Sequence, residues 1–508
     1  MHKNLYFYKT SKKIQYDTDN GPITIRKNNS SKNNNFMLEN EVVKTYDLKG
    51  VLGVIETEEG KYFVFVTEAD EFEQNKIKTW KINKVKYLCL EGESSPEILE
   101  AVKNFIESHS FYMTEEEIKE CYRWNGAMQE NVNKLKLETF KGNKQTNRSP
   151  FLFAGKIEKN ENERKNNNEN LCSLKSKLIY NLFCGYFEMQ HLRNGNDMFT
   201  FIIKSYISTN KIGPRMLCRG VDQEGNVSFF VKTYFSIEAK NGQDIDKHEF
   251  TCFRGSVPLL WSQNDPLKPS KIWFDGTEEE NIEAFNKHLK KIVDEDEKLI
   301  VIDLLSHHKY EAILSQMYRD KCKENKIKYI NFNLNAHVND YETMKSILYD
   351  KLDRVGEEDS EESSKSEEIV EEEEDLQRRL SIDTFISDTE YVDTNVNLVK
   401  KVNRKHLFRI NCLDCLDRTN LCQFLLFNYY NPYKFVLIKN MWKNNGDALA
   451  MLYTGSQALK GDFAKEKKMS IMNRLNDALI SANRMLNNKF TDKDKQRVID
   501  VILHKNNS

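Results

Sequence analysis

Residues 406–428 restrict the local fold more than any other stretch of this chain. The run His406-Leu-Phe-Arg-Ile-Asn411 reads as a buried strand. It passes directly into Cys412-Leu-Asp-Cys-Leu-Asp-Arg418-Thr419, and Asn420-Leu-Cys-Gln-Phe-Leu-Leu-Phe-Asn428 then reads as a helix. A strand feeding a short loop that opens a helix gathers free backbone N–H groups at one point, where the helix dipole also favours negative charge. Arg418 stands six positions after Cys412. The five residues between can curl around a tetrahedral oxyanion, and a planar guanidinium can take two of its oxygens. The same positive surroundings favour the thiolate of Cys412. A thiolate can attack phosphorus and form a phosphocysteine that water then hydrolyses. Thr419 is placed to donate a hydroxyl hydrogen bond to the departing sulfur.

Other chemistries fit parts of the same loop. Cys412, Cys415 and Cys422 give three of the four ligands of a structural zinc site, without a second Cys-x-x-Cys pair to complete it. Cys412 and Cys415 also have dithiol spacing, but no thioredoxin-like pattern surrounds them. The ten cysteines show no disulfide framework, so reduced thiols in a cytosolic setting are expected. Neither a metal nor a cofactor is expected.

The rest of the chain supplies a frame for this loop. Residues 298–305 read as a strand, 311–322 as a helix, 329–334 as a strand and 341–352 as a helix, an alternation that argues for an α/β catalytic domain. Upstream, residues 41–67 alternate in strand fashion, with a hairpin at Glu59-Gly60. Residues 95–107 and 114–138 read as helical, 198–262 as β-rich with turns at Gly213-Pro214 and Glu224-Gly225-Asn226, and 441–508 as helices broken near Thr454-Gly455-Ser456. The expected plan is α/β, α+β overall. Two insertions are expected to be disordered, the Asn/Lys/Glu-rich 140–170 and the acidic 355–400.

Charge adds a further constraint. The 508 residues carry 76 basic and 78 acidic side chains, a net charge of −2. Residues 357–375 alone hold twelve acidic side chains and one Lys, which leaves 75 basic against 66 acidic residues elsewhere. A basic body bearing an acidic tether suits an anionic partner. Arg378-Arg-Leu-Ser381, beside that run, has the form of a basic-directed kinase site whose phosphorylation would add negative charge to the tether. No signal peptide opens the sequence, and no stretch reaches the roughly 18 apolar residues of a membrane span, so membrane contact is expected to be peripheral.

Arg409-Ile-Asn-Cys-Leu-Asp-Cys-Leu-Asp-Arg-Thr-Asn420, followed by Gln423, resembles the signature of the Sac-type phosphoinositide phosphatases. Further segments agree in order: Gly50-Val-Leu-Gly-Val-Ile with Tyr62-Phe-Val-Phe-Val-Thr67, then Ser110-Phe-Tyr-Met, then Arg219-Gly-Val-Asp-Gln-Glu-Gly-Asn-Val227. Arg254-Gly-Ser-Val-Pro-Leu-Leu-Trp-Ser-Gln263, Trp442-Lys-Asn-Asn-Gly-Asp-Ala and Leu452-Tyr-Thr-Gly-Ser-Gln-Ala-Leu-Lys460 complete the set. The last segments are closest to the Sac domain of synaptojanins. The resemblance covers nearly the whole chain, and neither an inositol 5-phosphatase domain nor a C-terminal membrane anchor is expected with it.

The resemblance implies a small β-rich N-terminal domain at 1–190 packed on a catalytic domain at 191–508. It implies metal-free hydrolysis of phosphatidylinositol phosphates, mainly the 4- or 3-monophosphate. It implies Cys412 as nucleophile, Arg418 as phosphate clamp, Asp414 and Asp417 as loop carboxylates and Thr419 beside the sulfur. A carboxyl so close to a phosphate dianion favours its protonated form, the state a general acid needs, and either Asp could fill that role or shape the loop instead. Asn411, Leu413, Cys415 and Leu416 are expected to line the substrate. Arg215, Arg254 and Lys460, with Arg219, are expected to bring positive charge to the headgroup. The implied partner is a phosphoinositide at a cytoplasmic membrane face, on endoplasmic reticulum, Golgi or plasma membrane, and not a nucleic acid.

Two segments depart from the pattern. Where the family has Asn-Phe-Val-Glu-Thr-Glu, this chain has Phe229-Phe-Val-Lys-Thr-Tyr234, and Phe-Asp-Phe-His becomes Phe332-Asn-Leu-Asn335. These changes leave open a phosphoinositide-binding scaffold with little turnover. A protein tyrosine phosphatase shares the Cys-x5-Arg logic but usually has His before the cysteine and Gly in the loop, where Asn411 and two Asp stand here.

Overall fold

The computed structural model describes residues 3–8, 13–18, 21–26, 42–93, 96–134, 137–139, 180–194, 197–213, 218–241, 244–263, 271–293, 298–307, 309–334, 341–358, 406–413, 416–431, 436–455 and 492–505. Both expected insertions fall almost wholly outside these residues, as does the Arg378–Ser381 motif.

Nine strands precede residue 140: β1 (Lys3–Tyr8), β2 (Lys13–Thr18), β3 (Gly21–Arg26), β4 (Val42–Leu48), β5 (Gly50–Thr57), β6 (Gly60–Gln74), β7 (Ile77–Gly92), β8 (Phe111–Thr114) and β9 (Leu137–Thr139). Two helices lie among them, α1 (Glu97–Ser108) and α2 (Gly126–Lys134). Next come β10 (Asn181–Asn194), β11 (Asp197–Ile207), β12 (Val231–Asn241), β13 (Asp244–Arg254) and the short pair β14 (Trp261–Ser262) and β15 (Trp273–Phe274). The remainder runs α3 (Glu278–Ile292), β16 (Lys298–Asp303), α4 (Lys309–Glu324), β17 (Lys328–Asn331), α5 (Tyr341–Glu358), β18 (His406–Asn411), α6 (Asp417–Tyr430), α7 (Val436–Thr454) and α8 (Asp492–Leu503).

The protein is mixed α/β. One sheet of eleven strands forms its spine, in the order β17-β16-β18-β13-β12-β11-β10-β8-β7-β6-β5. From β5 to β13 every neighbouring pair is antiparallel. From β13 through β18 and β16 to β17 every pair is parallel. The position 190/191 falls inside β10, so one continuous sheet crosses it. A second sheet holds β4-β1-β2-β3-β9.

The parallel end is covered on both faces, as parallel strands require. Alternation along β16 and β18 assigns the sides. Ile300, Ile302, Phe408 and Ile410 pack with α5, α6 and α7 residues such as Met344, Leu425 and Trp442. Leu299, Val301 and Leu407 pack with Phe285 and Ile292 of α3 and Leu314 and Tyr318 of α4. The antiparallel half has its own core, in which Leu52, Tyr62, Val64, Trp124 and Met128 meet α1, the end of α7 and Ile499 and Ile502 of α8.

The hairpin expected at Glu59-Gly60 joins β5 to β6, and the helix expected at 95–107 is α1. The helix expected over 114–138 is largely absent. β8 ends at Thr114, a short 3₁₀ turn covers Glu120–Tyr122, and only Gly126–Lys134 is helical. Tertiary contacts override local propensity here. Asn181 donates its side-chain amide to the Glu116 carbonyl (2.9 Å), Thr114 Oγ1 accepts from the Glu116 N–H (3.1 Å), and the Glu116 carboxylate pairs with Lys204 (2.9 Å).

Candidate active site

The sheet order creates a crevice at the carboxyl ends of β16 and β18. From β16 the chain goes through α4 to β17 on one side, and it later returns as β18 on the other. Such a switch in direction leaves a cleft beyond the strand ends where ligands bind in open α/β sheets. The described residues of the Cys412 loop form one lip, and residues 304–307 after β16 form the other.

Helix α6 begins at Asp417, three residues earlier than the sequence suggests, with the Asn420 N–H already bonded to the Leu416 carbonyl (2.9 Å). Arg418 and Thr419 therefore sit in its first turn, where unsatisfied N–H groups and the dipole concentrate positive potential. Cys412 and Thr419 are both buried, and the Thr419 hydroxyl donates to the Cys412 sulfur at 3.4 Å.

Leu304 fastens both ends of the loop. Its N–H donates to the Asn411 carbonyl (2.9 Å), and its carbonyl accepts from Arg418 Nη1 (3.1 Å). Asp303, fully buried beside it, accepts from the Asn411 side-chain amide (2.8 Å), Ser315 Oγ (2.6 Å), the Tyr329 hydroxyl (2.6 Å) and the Leu305 N–H (3.1 Å). Burial pushes the Asp303 carboxyl above its ordinary range, and these hydrogen bonds oppose that shift. The Asn411 Oδ1 atom is buried with no partner. Glu311, in the first turn of α4, accepts from the Ser306 N–H (2.9 Å) and lies 4.0 Å from Arg418 Nη1.

Two more arginines support the loop from outside. Arg219 donates to the Leu413 carbonyl and lies over the Trp261 ring, 5.8 Å from its centroid. Arg254 is fully buried, and its Nη2 donates to Asn420 Oδ1 (3.0 Å) and to Gln423 Oε1, both on α6. Asn420 is held in turn by the Trp442 carbonyl (2.9 Å). Helix α7 approaches so closely at Gly446 that a Cβ there would stand 2.5 Å from Asn420 Nδ2. The Arg254-Gly-Ser and Trp442-Lys-Asn-Asn-Gly segments thus meet through α6.

A separate buried assembly lies behind β18. Arg409 donates to the Gly255 (3.0 Å) and Ser256 (2.7 Å) carbonyls and to His288 Nε2 (3.4 Å), while His288 Nδ1 contacts the Gly225 carbonyl (3.0 Å). A proton on Nδ1 satisfies both contacts, so His288 is neutral with Nε2 as acceptor. Burial holds its pKa well below the usual value, and the Arg409 charge adds to this. Two thiols packed in the same core as Cys412 are also shifted by burial: Cys252 is pushed up to about 12, and Cys422 is raised as well.

Of the residues singled out from sequence, Asn411, Cys412, Leu413, Arg418 and Thr419 come together. Leu416 is buried in the core of the antiparallel half, and Arg254 sits beneath α6 rather than at the surface. Asp414, Cys415, Arg215, Lys460 and the Asp417 side chain lie outside the described residues. Asp303, Glu311, Ser315 and Tyr329 were missed. An acid closing the apolar run Leu299-Ile-Val-Ile-Asp303 was the available signal for the first of them.

Lys232 and Tyr234 line a groove of about 370 Å³ with Phe72, Glu116, Phe187 and Lys204, and among the described residues none of the 412–419 loop lines it. Asn335 lies outside the described residues, while the Asn333 Oδ1 atom is buried without a partner. Among the described residues, no helix is long and apolar enough to cross a membrane.

Residues 49–339, more than half of the chain, match the SacI homology domain. The chain belongs to the SacI homology domain family. The matched stretch covers the antiparallel half of the sheet through β17 and ends before Cys412. Among curated SacI relatives, the polyphosphatidylinositol phosphatase INP53 of Saccharomyces cerevisiae is 30% identical over 315 residues, covering 58% of this chain and 26% of that protein. The phosphatidylinositol-3-phosphatase SAC1 of the same yeast is 27% identical over 58% of this chain and 47% of its own length. The human phosphatidylinositide phosphatase SAC2 is 26% identical over 58% of this chain and 25% of that protein. The chain thus spans between a quarter and a half of the length of these relatives.

Proposed function

We propose that this SacI-family chain hydrolyses the phosphomonoester of a phosphoinositide headgroup, mainly the 4- or 3-monophosphate, through a phosphocysteine on Cys412. The observation that carries the reading is the Cys412 thiol at the mouth of α6, hydrogen-bonded by Thr419, with Arg418 fixed to the opposite lip through Leu304. The names of the relatives, all phosphoinositide phosphatases, agree with it.

The Cys412 thiolate, favoured by the helix start and the guanidinium, attacks phosphorus. The sulfur–phosphorus bond forms as the phosphorus–oxygen bond to inositol breaks. Asp414 or Asp417 supplies the proton that the departing inositol oxygen takes. Arg418 and the backbone N–H groups of the loop hold the equatorial oxygens as charge spreads over them. Water then attacks phosphorus and a loop carboxylate accepts its proton. Phosphate leaves, and the sulfur returns as a thiolate to the Thr419 hydrogen bond. Arg254 and Arg219 act through the loop by fixing α6 and the Leu413 peptide. Arg215 and Lys460 would meet the lipid headgroup at a cytoplasmic membrane face.

Purified protein is expected to release phosphate from vesicles carrying phosphatidylinositol 4-phosphate, and Cys412→Ser to abolish release. Equal release by the two proteins would reject the mechanism. Vesicle binding across all phosphoinositides without turnover would instead make the chain a lipid-binding module.

A further inference from the structure

The opposite lip of the crevice contributes more than backbone. Arg418 Nη1 meets two acceptors there, the Leu304 carbonyl at 3.1 Å and Glu311 Oε2 at 4.0 Å. Glu311 is itself held, since the same oxygen accepts from the Ser306 N–H at 2.9 Å. The side chains are 18% and 22% exposed, so solvent screens this pair less than a surface ion pair. Both contacts fall on one guanidinium nitrogen, Nη1.

We propose that Glu311 is a positioning residue for Arg418. With the Leu304 carbonyl it holds Nη1, and so fixes where the guanidinium stands when an oxyanion enters the loop. The long arginine side chain would otherwise sample many rotamers, and a clamp set about 1 Å out of place costs on the order of 100-fold in rate. The carboxylate takes no proton from the substrate and does not touch it. This inference rests on the proposed role of the Cys412 loop as an oxyanion site, and its test includes a readout that needs no turnover.

Glu311→Gln keeps the shape and leaves an acceptor for the Ser306 N–H, but removes the charge facing Arg418. In the full chain it is expected to lower kcat on phosphatidylinositol 4-phosphate vesicles about tenfold. Its thermal midpoint should stay at the wild-type value, and its affinity for tungstate, a tetrahedral oxyanion probe, should fall several-fold. In the Arg418→Ala background, adding Glu311→Gln should change tungstate affinity no further, because the two residues act as one unit. An unchanged or tighter tungstate affinity in the single variant overturns the proposal. So does a loss that persists in the Arg418→Ala background. If the wild type binds tungstate yet releases no phosphate from any phosphoinositide, the functional reading fails while the tungstate comparison still decides the role of Glu311.

Discussion

The two halves of the large sheet solve different problems. The antiparallel half, β5 to β12, is held together mainly by apolar contacts: Leu52, Tyr62, Val64 and Trp124 fill its core, and Trp124 spends its one polar atom on the Ile207 carbonyl (3.0 Å). The parallel end, by contrast, buries Asp303, Arg254, Arg409, His288 and Asn411, each inside a hydrogen-bonded set. Buried charge is costly to place and is tolerated where every group finds a partner. The cost is concentrated at the switch point of the sheet, around one loop. The difference teaches that one end of a continuous sheet can serve as support while the other is organised to hold a few polar atoms still.

Trp124→Ala should break the first half outright. Removing a fully buried ring that packs edge-on against Phe111 at 5.3 Å is expected to cost about 3–5 kcal/mol in denaturant unfolding. Protein that remains folded should keep its kcat. A matching loss of kcat in the folded fraction would show that the halves are not separable.

Asp303→Asn attacks the other half. The amide keeps one oxygen, so its NH2 faces either the Asn411 amide, which can only donate there, or the Ser315 and Tyr329 hydroxyls, which must give up the bonds they now donate. Loss of about 1–3 kcal/mol is expected. Turnover should fall about 100-fold, more than the stability change explains, because Asn411 directly precedes the nucleophile. Stopped-flow phosphate release beside a urea melt would separate the two effects.

Each half also holds one depressed histidine. Burial, then the Lys495 charge, lowers His109 to about 4, and burial, then Arg409, holds His288 well below its usual value. Both titrate near 6.5 once unfolded, so unfolding takes up protons as pH falls through 6.5, and stability falls with it. The slope is about 1.4 kcal/mol per pH unit for each histidine below 6.5, ending near pH 4 for His109. Melts from pH 7.5 to 5 should show this decline, and His288→Gln should remove about half of it. A slope unaltered by that substitution would mean that His288 is not held neutral in the folded protein.

The smallest effect is expected at Lys232. Lys232→Glu restores the family's acidic residue in a groove that no described loop residue lines, so kcat/KM should stay within about twofold. A large change would link the groove to the chemistry.

Much of the parallel end was legible, because apolar runs such as 298–305 and 406–411 can be little else than buried strands. The strand before Cys412 and the helix after it were legible from the apolar runs on either side of the loop. The partners of Asp303 were not: Ser315, Tyr329 and Asn411 come from three different elements, and only the closed sheet brings them to one carboxylate. Arg254 could be read as a headgroup contact because nothing in Arg254-Gly-Ser reveals that α6 will lie on top of it. The segment after β8 misled for the opposite reason: its local preference is helical, and the contacts at Glu116 outweigh it.

Leu304 shapes how this family of sequences can drift. Its peptide unit is committed at both ends, the N–H to Asn411 and the carbonyl to Arg418, while its side chain is only one of many apolar residues in the interior. The requirement at this position is therefore written in the main chain. Valine or methionine should keep both bonds there at a packing cost of about 0.5–1.5 kcal/mol, whereas proline, which lacks the N–H, or a one-residue deletion before Glu311 should be lethal to the site. The side chain at Leu304 sets how well the core fills, and its peptide decides whether the loop stays closed.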